Sequence, residues 1–125
     1  MNDIYFRVRG IHTNVGTSEE TTIQLPTKRG NQIVLLVAFH YVRTGGTAAT
    51  YTPRLGQKAA FTNGDIDERI AYSATAVGTA TNDVFSAPIP SRTDSNGRLY
   101  FRPGFNTGSD NDGVYEFWFK TVRGS

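Results

Sequence analysis

Few side chains in this sequence could do chemistry, and they are widely spaced. The chain has 125 residues, with two histidines and no cysteine. His12 and His40 stand alone, because neither has a second histidine or a regularly spaced carboxylate nearby to complete a metal-binding set. His40 lies near the end of a long apolar run. We expect a partly buried imidazole there, bonded to the backbone or lying in an interface, with ligand binding or pH sensing as the alternative.

An acidic stretch near the C-terminus has the composition of a calcium loop. Asp110 and Asp112 precede Gly113, and hard cations prefer clustered oxygen ligands from a tight loop. The spacing of an EF-hand loop is absent, because here the glycine follows Asp110 by only three residues. A plain turn is therefore expected, with a calcium site as the alternative.

A second acidic stretch contains Asp65, Asp67 and Glu68. Such carboxylates act as an acid and base pair only where a cleft or a neighbouring charge perturbs them, so a solvated turn is expected. The chain also lacks the serine motif of hydrolases, the phosphate-binding loop and the dinucleotide fingerprint. These observations predict a protein that is not an enzyme and that needs neither a cofactor nor a metal.

Charge and hydropathy argue against two classes of partner. Thirteen Lys and Arg residues against eleven Asp and Glu residues give a net charge of +2. The basic residues are spread from Arg7 to Arg123, whereas a nucleic-acid binder is expected to gather them into one stripe. The longest apolar run is far shorter than the roughly 20 residues of a membrane helix. We therefore expect a single soluble domain of residues 1–125 that binds neither a membrane nor nucleic acid.

Residues 32–43 contain the longest apolar run and predict the central strand of the fold. With a period of two, one face carries Ile33, Leu35, Val37, Phe39 and Tyr41, and the other carries Val34, Leu36, Ala38, His40 and Val42. Both faces are apolar. We therefore expect a second sheet to cover one face and a neighbouring subunit to cover the other.

Alternating patterns on both sides of that run predict seven more strands. They lie at residues 4–9, 21–25, 48–55, 69–77, 83–89, 98–103 and 114–122. Residues 10–20 are expected to form a loop, residues 93–97 a tight turn that closes a hairpin, and residues 63–70 at most one helical turn. Pro53 lacks an amide donor, which places its strand at a sheet edge or at a bulge.

Thirteen glycines and a high content of threonine and aromatic residues point to the same class of fold. The prediction is an all-β protein, a single antiparallel β-sandwich of about eight strands that is jelly-roll-like. An up-and-down barrel and an immunoglobulin-like sandwich are the alternatives.

Two predicted strands carry arginines beside an aromatic ring on their outward faces. One face holds Arg98, Tyr100 and Arg102, and the other holds Tyr5, Arg7 and Arg9. Leu99 and Phe101 are predicted to face inward, as are Phe117 and Phe119 on the last strand, so the residues between them point outward. An exposed tryptophan close to arginine is typical of protein-interface hot spots. A solvated face, or stacking on bases or sugars, is the alternative. The candidate interface residues are Trp118, Glu116, Lys120, Tyr100, Arg98, Arg102, Arg7 and Arg9.

Two stretches resemble small jelly-roll decoration, or cement, proteins of tailed bacteriophages. They are GGTAATYTPRL at residues 45–55 and GRLYF at residues 97–101, which precedes an Asn/Asp/Gly loop and a final aromatic strand. The resemblance covers most of the chain and rests on strand rhythm and turn composition. It implies a non-enzymatic virion protein, made in the host cytoplasm, that binds the outer surface of the phage head as a trimer and stabilises contacts between major capsid subunits. Some such proteins use a long N-terminal arm, whereas three residues precede the first strand here, so capsid contacts are expected from residues 10–20 or from strand edges.

The residues themselves predict a symmetric homo-oligomer, because the second face of the central strand and Trp118 both need cover. The number three rests on the resemblance alone. The main alternative is a carbohydrate- or receptor-binding β-sandwich module of a phage tail, which would line one groove with two or three aromatic rings. A nucleic-acid binder of the open-barrel type would instead show a steep salt dependence of binding.

Overall fold

The computed structural model describes residues 4–26, 30–61 and 67–121. These residues form ten β-strands, and no helix occurs among them. No helix in the same ranges is long and apolar enough to cross a membrane. The strands are β1 (Tyr5–Val15), β2 (Thr21–Gln24), β3 (Ile33–Gly45), β4 (Thr50–Tyr51), β5 (Arg54–Gly56), β6 (Glu68–Ala71), β7 (Thr75–Ala76), β8 (Thr81–Arg92), β9 (Arg98–Arg102) and β10 (Asn111–Thr121).

The strands form two four-stranded sheets and one short pair. Sheet A has the order β1-β10-β3-β8, sheet B has the order β2-β9-β5-β6, and β4 pairs with β7. All neighbouring strands are antiparallel. The chain passes from one sheet to the other between β1, β2 and β3, and again between β8, β9 and β10, as in a double-sheet jelly roll. The predicted all-β antiparallel sandwich is confirmed.

The core lies between the two sheets and is rich in aromatic rings. Phe39 and Phe117 of sheet A have ring centroids 4.9 Å apart, and the ring of Phe101 from sheet B lies 5.5 Å and 5.3 Å from them. All three side chains are fully buried. Leu99 and Phe119 are buried as well, so the inward faces predicted for β9 and β10 are confirmed.

The predicted faces of β3 are wrong in one half of the strand. Leu36 pairs with Phe119 and Ala38 pairs with Trp118, so Val37 has no partner on β10. This β-bulge inserts one residue and moves all later side chains to the opposite face of the sheet. The buried set is therefore Val34, Leu36, Phe39 and Tyr41, and the half-buried outer set is Ile33, Leu35, Ala38, His40 and Val42.

The predicted loop at residues 10–20 begins later than expected, because β1 continues to Val15. Along β1, Phe6 and Val8 pack against the core and His12 is buried. Gly10 lies between them, and a side chain there would collide with the hydroxyl and ring of Tyr115. A glycine in a strand often marks such a close approach, so it was wrong to end the strand at Gly10.

The predicted hairpin around residues 93–97 is also wrong. The turn exists, with the Asp94 carboxylate accepting the backbone N–H groups of Asn96 at 2.8 Å and Arg98 at 3.0 Å. However, β8 pairs with β3 in sheet A and β9 pairs with β2 and β5 in sheet B. The turn therefore crosses between the sheets. Strand β8 includes Pro88 and Pro90, which an edge strand tolerates because one side of its backbone has no neighbouring strand.

Two predicted strands are each divided in the structure. Pro53 separates β4 from β5, which belong to different sheets, and residues 69–77 contain β6 and β7. The first half of the predicted helical turn, residues 63–66, lies outside the described ranges, and β6 begins at Glu68 in its second half.

Candidate functional site

The outer face of sheet A carries most of the exposed large hydrophobic side chains in the described residues. Tyr5 is 61% exposed, Ile11 72%, Val84 76% and Trp118 39%. These residues lie on strands β1, β8 and β10, and their neighbours across the sheet are the half-buried Leu35, Ala38, Val42 and Val114. Large exposed hydrophobic side chains gathered on one face, with charged residues among them, are typical of interaction surfaces. We call this surface the Trp118 face.

Trp118 is held in place by two charged neighbours. Its indole Nε1 donates a hydrogen bond of 2.9 Å to Oε1 of Glu116. The guanidinium carbon of Arg7 lies 5.4 Å from the Trp118 ring centroid, and Arg7 also forms an ion pair of 3.5 Å with Glu116. A cation over an indole ring contributes on the order of 0.5–1 kcal/mol at an exposed site. The ring is therefore oriented before any partner binds, which lowers the entropy cost of binding.

A groove of about 450 Å³ runs beside Trp118 on the same face. Four of its residues form a row across all four strands, since Arg9 pairs with Glu116, Glu116 with His40, and His40 with Asn82. Val42 and Val114 complete the lining. No Tyr, Trp or Phe from the described ranges lines this groove, in contrast to the aromatic groove expected of a sugar-binding module. His40, predicted to lie in an interface or to bond to the backbone, is half-buried in it.

The other predicted site residues lie on the opposite side of the sandwich. Arg98, Tyr100 and Arg102 point outward from β9 in sheet B, so the structure does not bring them together with Trp118, Glu116, Lys120, Arg7 and Arg9. Arg102 forms an ion pair of 2.8 Å with Glu20 and covers the ring of Phe61 at 4.8 Å. Arg98 donates from Nε to Gln24 at 3.1 Å.

Tyr100 also has an internal partner, because its hydroxyl donates a short hydrogen bond to Asp94. That bond raises the pKa of Tyr100. Burial favours the neutral form of Asp94, yet the hydrogen bonds from Tyr100 and from two backbone amides hold the pKa of Asp94 below its ordinary value. The outward side chains of β9 are thus engaged within the chain, and we assign them a structural role.

His12 is a core residue, which the sequence analysis did not predict. Its side chain is 7% exposed, with Nε2 at 2.7 Å from the Tyr41 hydroxyl and Nδ1 at 3.1 Å from Oγ1 of Thr21. Burial lowers the pKa of His12 to about 4, and the negative charge of Asp112 opposes this shift in part. The alternation of Phe6, Val8, Gly10 and His12 would have placed His12 on the core face if the predicted strand had been continued past Gly10.

In the acidic stretch near the C-terminus, Asp110 and Asp112 accept hydrogen bonds from neighbouring segments of the chain. Asp110 accepts bonds from the Thr47 hydroxyl at 2.8 Å and the Thr47 N–H at 3.2 Å, and Asp112 accepts the N–H of Asn14 at 3.0 Å. The bond from the Thr47 hydroxyl holds the pKa of Asp110 below its ordinary value. Across residues 4–26, 30–61 and 67–121, no three His, Asp or Glu side chains are grouped as a metal site.

In the other acidic stretch, Asp65 lies outside the described ranges and its two neighbours have separate basic partners. Glu68 pairs with Arg54 at 3.4 Å, and Asp67 lies 3.9 Å from Lys58. These carboxylates do not face each other as an acid and base pair.

Comparisons with protein-family models and with curated protein sequences found no match. Among solved structures, the fold is similar to a chain from Bacillus endospore appendages, described as a novel family of disulfide-linked pili. The TM-score is 0.50 and the sequence identity 10%, over 96% of this chain and 88% of the appendage chain. At this identity the likeness concerns the fold alone. The present chain has no cysteine and cannot form disulfide links.

The Trp118 face is therefore the candidate site. It combines exposed apolar side chains, an oriented tryptophan and a charged groove. These are features of a surface that binds another macromolecule.

Proposed function

We propose that this protein is a non-enzymatic structural protein that assembles through the Trp118 face. The observation that carries the proposal is the oriented Trp118 side chain, 39% exposed and framed by Arg7 and Glu116 on an apolar sheet face. Buried aromatic residues with arginine at their rim contribute most to the binding energy of protein interfaces.

The occupant we propose for this face is a second copy of the chain in a closed ring. Among the described residues of the Trp118 face, the basic side chains of Arg7, Arg9 and Lys120 outnumber the carboxylates of Glu116 and Asp112. Two such faces in direct contact would bring like charges together. A ring, by contrast, joins the face of one copy to a different surface of the next.

An acidic surface suited to that contact lies at one end of the sandwich. The loop before β2 contains Glu19, and the loop before β10 contains Asp110. The two loops are adjacent, because Gly16 of the first lies close to the backbone of Gly108 in the second. Glu19 and Asp110 are both exposed. A basic, apolar face and an acidic loop end on one chain give the charge complementarity that a ring needs.

In its finer form, the proposal is a trimeric decoration protein on the capsid surface of a tailed phage, in contact with the major capsid protein. The jelly-roll strand order and the sequence resemblance support this form. Binding to empty capsids of a phage that encodes the protein, measured by co-sedimentation, tests it directly. No binding at micromolar concentration contradicts the capsid role.

The assembly itself is tested by light scattering. A trimer of the 13.7 kDa chain has a mass of about 41 kDa. The variant Trp118→Glu should reduce the mass to that of one chain, whereas Arg98→Glu, on the opposite side of the sandwich, should leave it unchanged. A wild-type protein that stays at 13.7 kDa at high concentration contradicts the oligomer, and a stable dimer contradicts the number three.

A second candidate, a carbohydrate- or receptor-binding module, rests on polar side chains alone, because the described lining of the groove holds no aromatic ring. The groove beside Trp118 presents the polar side chains of Arg9, Asn82 and Glu116, which could bond to sugar hydroxyls. A glycan that raises the melting temperature of the wild type, and does not raise that of Asn82→Ala, would favour this candidate.

A further inference from the structure

We infer that a second pocket, at the open edge of the sandwich, binds a small oxyanion. The pocket has a volume of about 230 Å³ and is lined by Ile33, Gln57, Arg69, Pro90, Ser91 and Arg92. It lies between β6, the edge strand of sheet B, and β8, the edge strand of sheet A. It is distinct from the Trp118 face, and the inference does not depend on the proposed assembly.

The polar groups that line this pocket are mostly hydrogen-bond donors. Arg69 and Arg92 bring two guanidinium groups, Gln57 an amide and Ser91 a hydroxyl, and none of the described residues lining it is acidic. Two fixed positive charges with no lining carboxylate favour an anionic ligand. Guanidinium groups are well suited to phosphate and carboxylate oxygens because they donate in a planar fork.

Two of these donors are buried without a partner. The Ser91 side chain is 2% exposed, and neither its Oγ nor the Nε of Arg69 has a hydrogen-bond partner in the described part of the chain. Buried polar groups in folded proteins are nearly always bonded, so an unpaired pair at one pocket indicates a missing acceptor. An oxyanion in the pocket would accept from both.

The other two polar residues frame the site. The Gln57 side-chain oxygen accepts the backbone N–H of Arg92, which ties the segment after β5 to the edge of β8. Arg92 donates from one guanidinium nitrogen to the carbonyl of Asn31 at 3.1 Å. These bonds fix the two elements that carry the donors, and they leave the Gln57 amide nitrogen and the rest of the Arg92 guanidinium for a ligand.

Of the carboxylates in the described residues, neither Glu68 nor Asp67 neutralises the pocket directly. Glu68 is paired with Arg54 at 3.4 Å. Asp67 lies two residues before Arg69 and 3.9 Å from Lys58, and it does not line the pocket. The Arg69 guanidinium forms no ion pair with either acid in the structure, so its charge is available to a ligand.

The ligand class is a small oxyanion, either a free phosphate or sulfate ion or the carboxylate of a partner molecule. The volume admits one such group, and the apolar walls of Ile33 and Pro90 leave room for a short aliphatic stem. A bound anion would join β6 to β8 and so link the two sheets at their open edge. Binding should therefore stabilise the fold by mass action.

The experiment is a titration of the full chain with phosphate, sulfate and acetate at constant ionic strength, adjusted with sodium chloride. Backbone amide NMR shifts and the melting temperature are the two readouts. We expect a saturable response in the millimolar range, with shift changes centred on Gln57, Ser91 and Arg92. Preference for phosphate or sulfate over acetate identifies a free tetrahedral ion, and the reverse preference identifies a carboxylate.

Variants separate the site from general salt effects, since sulfate stabilises most proteins without binding. Arg69→Gln and Arg92→Gln should each weaken the apparent affinity by about tenfold, as expected for the loss of a charge-assisted bond. Arg98→Gln removes an equal charge on the outer face of sheet B and should not change it. A response that never saturates, or one that is the same in both pocket variants as in the wild type, overturns the inference. If Arg69→Gln does not fold, Arg92→Gln still tests the inference, because Arg92 is exposed.

Discussion

His12 and Tyr41 are hydrogen-bonded across a strand that separates them. Nε2 of His12 on β1 lies 2.7 Å from the hydroxyl oxygen of Tyr41 on β3, although β10 runs between these two strands. Gly113 makes the contact possible, because a side chain at this point of β10 would collide with both groups. The same arrangement buries the imidazole, with the consequence that its protonation is coupled to folding.

The stability of the fold should therefore fall as the pH is lowered from about 6.5 to about 4. The pKa of His12 is about 4 in the folded protein against 6.5 ordinarily, so the unfolded chain binds more protons throughout that interval. The loss should be on the order of 3 kcal/mol for this group. Urea unfolding at a series of pH values measures it, and His12 should contribute no slope well above pH 6.5, where the unfolded imidazole is also neutral.

The matched variants for this prediction are His12→Gln and His40→Gln. The first should reduce the slope of stability against pH by close to one proton, and the second, which keeps His12, should retain it. An unchanged slope in His12→Gln would show that other groups cause the acid sensitivity. If that variant does not fold, NMR titration of the His12 imidazole in the wild type gives its pKa directly.

Leu36 and Leu35 are a matched pair of opposite burial on β3. Leu36 is fully buried and Leu35 is half-buried on the outer face. Leu36→Ala should cost about 2–5 kcal/mol through lost burial and a residual cavity, whereas Leu35→Ala should cost about 1 kcal/mol or less within one subunit. Urea midpoints in a Trp118→Glu background measure this without a contribution from subunit contacts. Equal costs would contradict the assignment of Leu36 to the core face and Leu35 to the outer face.

Asn111 should be intolerant of the nearly isosteric change to aspartate. Its buried amide donates to the carbonyls of Val15 at 3.1 Å and Thr107 at 3.0 Å and accepts the N–H of Ala48 at 3.0 Å. Asn111→Asp replaces two donated bonds by contacts between oxygens, at a cost of about 3 kcal/mol. Asp112→Asn keeps the side-chain oxygen that accepts the N–H of Asn14, so its cost in stability should be far smaller. Chemical denaturation compares the two variants, and similar losses would contradict the assigned bonds.

A chelator should leave the melting temperature unchanged. The carboxylate oxygens of Asp110 and Asp112 that could bind calcium accept bonds from Thr47 and Asn14 instead. Differential scanning calorimetry with and without EDTA measures the effect. A fall of several degrees that calcium restores, and that is absent in Asp110→Asn, would show that the loop is a calcium site.

Local alternation determined a large part of the fold. The inward positions of Leu99, Phe101, Phe117 and Phe119 follow from a period of two, because successive side chains of a strand point to opposite faces whatever lies around them. The outward position of Trp118 follows in the same way. Pro53 was expected to place one strand at a sheet edge or at a bulge, whereas it separates β4 from β5, and β5 lies inside sheet B.

Features that depend on which strands are neighbours were decided only by the tertiary structure. The bulge at Val37 has no local mark, because an extra residue is defined by the lack of a partner on the adjacent strand. The turn at residues 93–97 has the composition of a hairpin turn, yet β9 pairs with strands of sheet B whereas β8 pairs with β3 in sheet A.

The same division applies to the candidate sites. The sequence by itself determined that Trp118 and Arg7 face outward, since each position follows from its own strand. It did not determine that they share one face while Arg98 and Arg102 lie on the other side, because that follows from the pairing of β1 with β10. The oxyanion pocket joins residues 57, 69 and 91, which lie on three segments of two sheets. Such a site exists only after long-range packing has placed the sheet edges side by side.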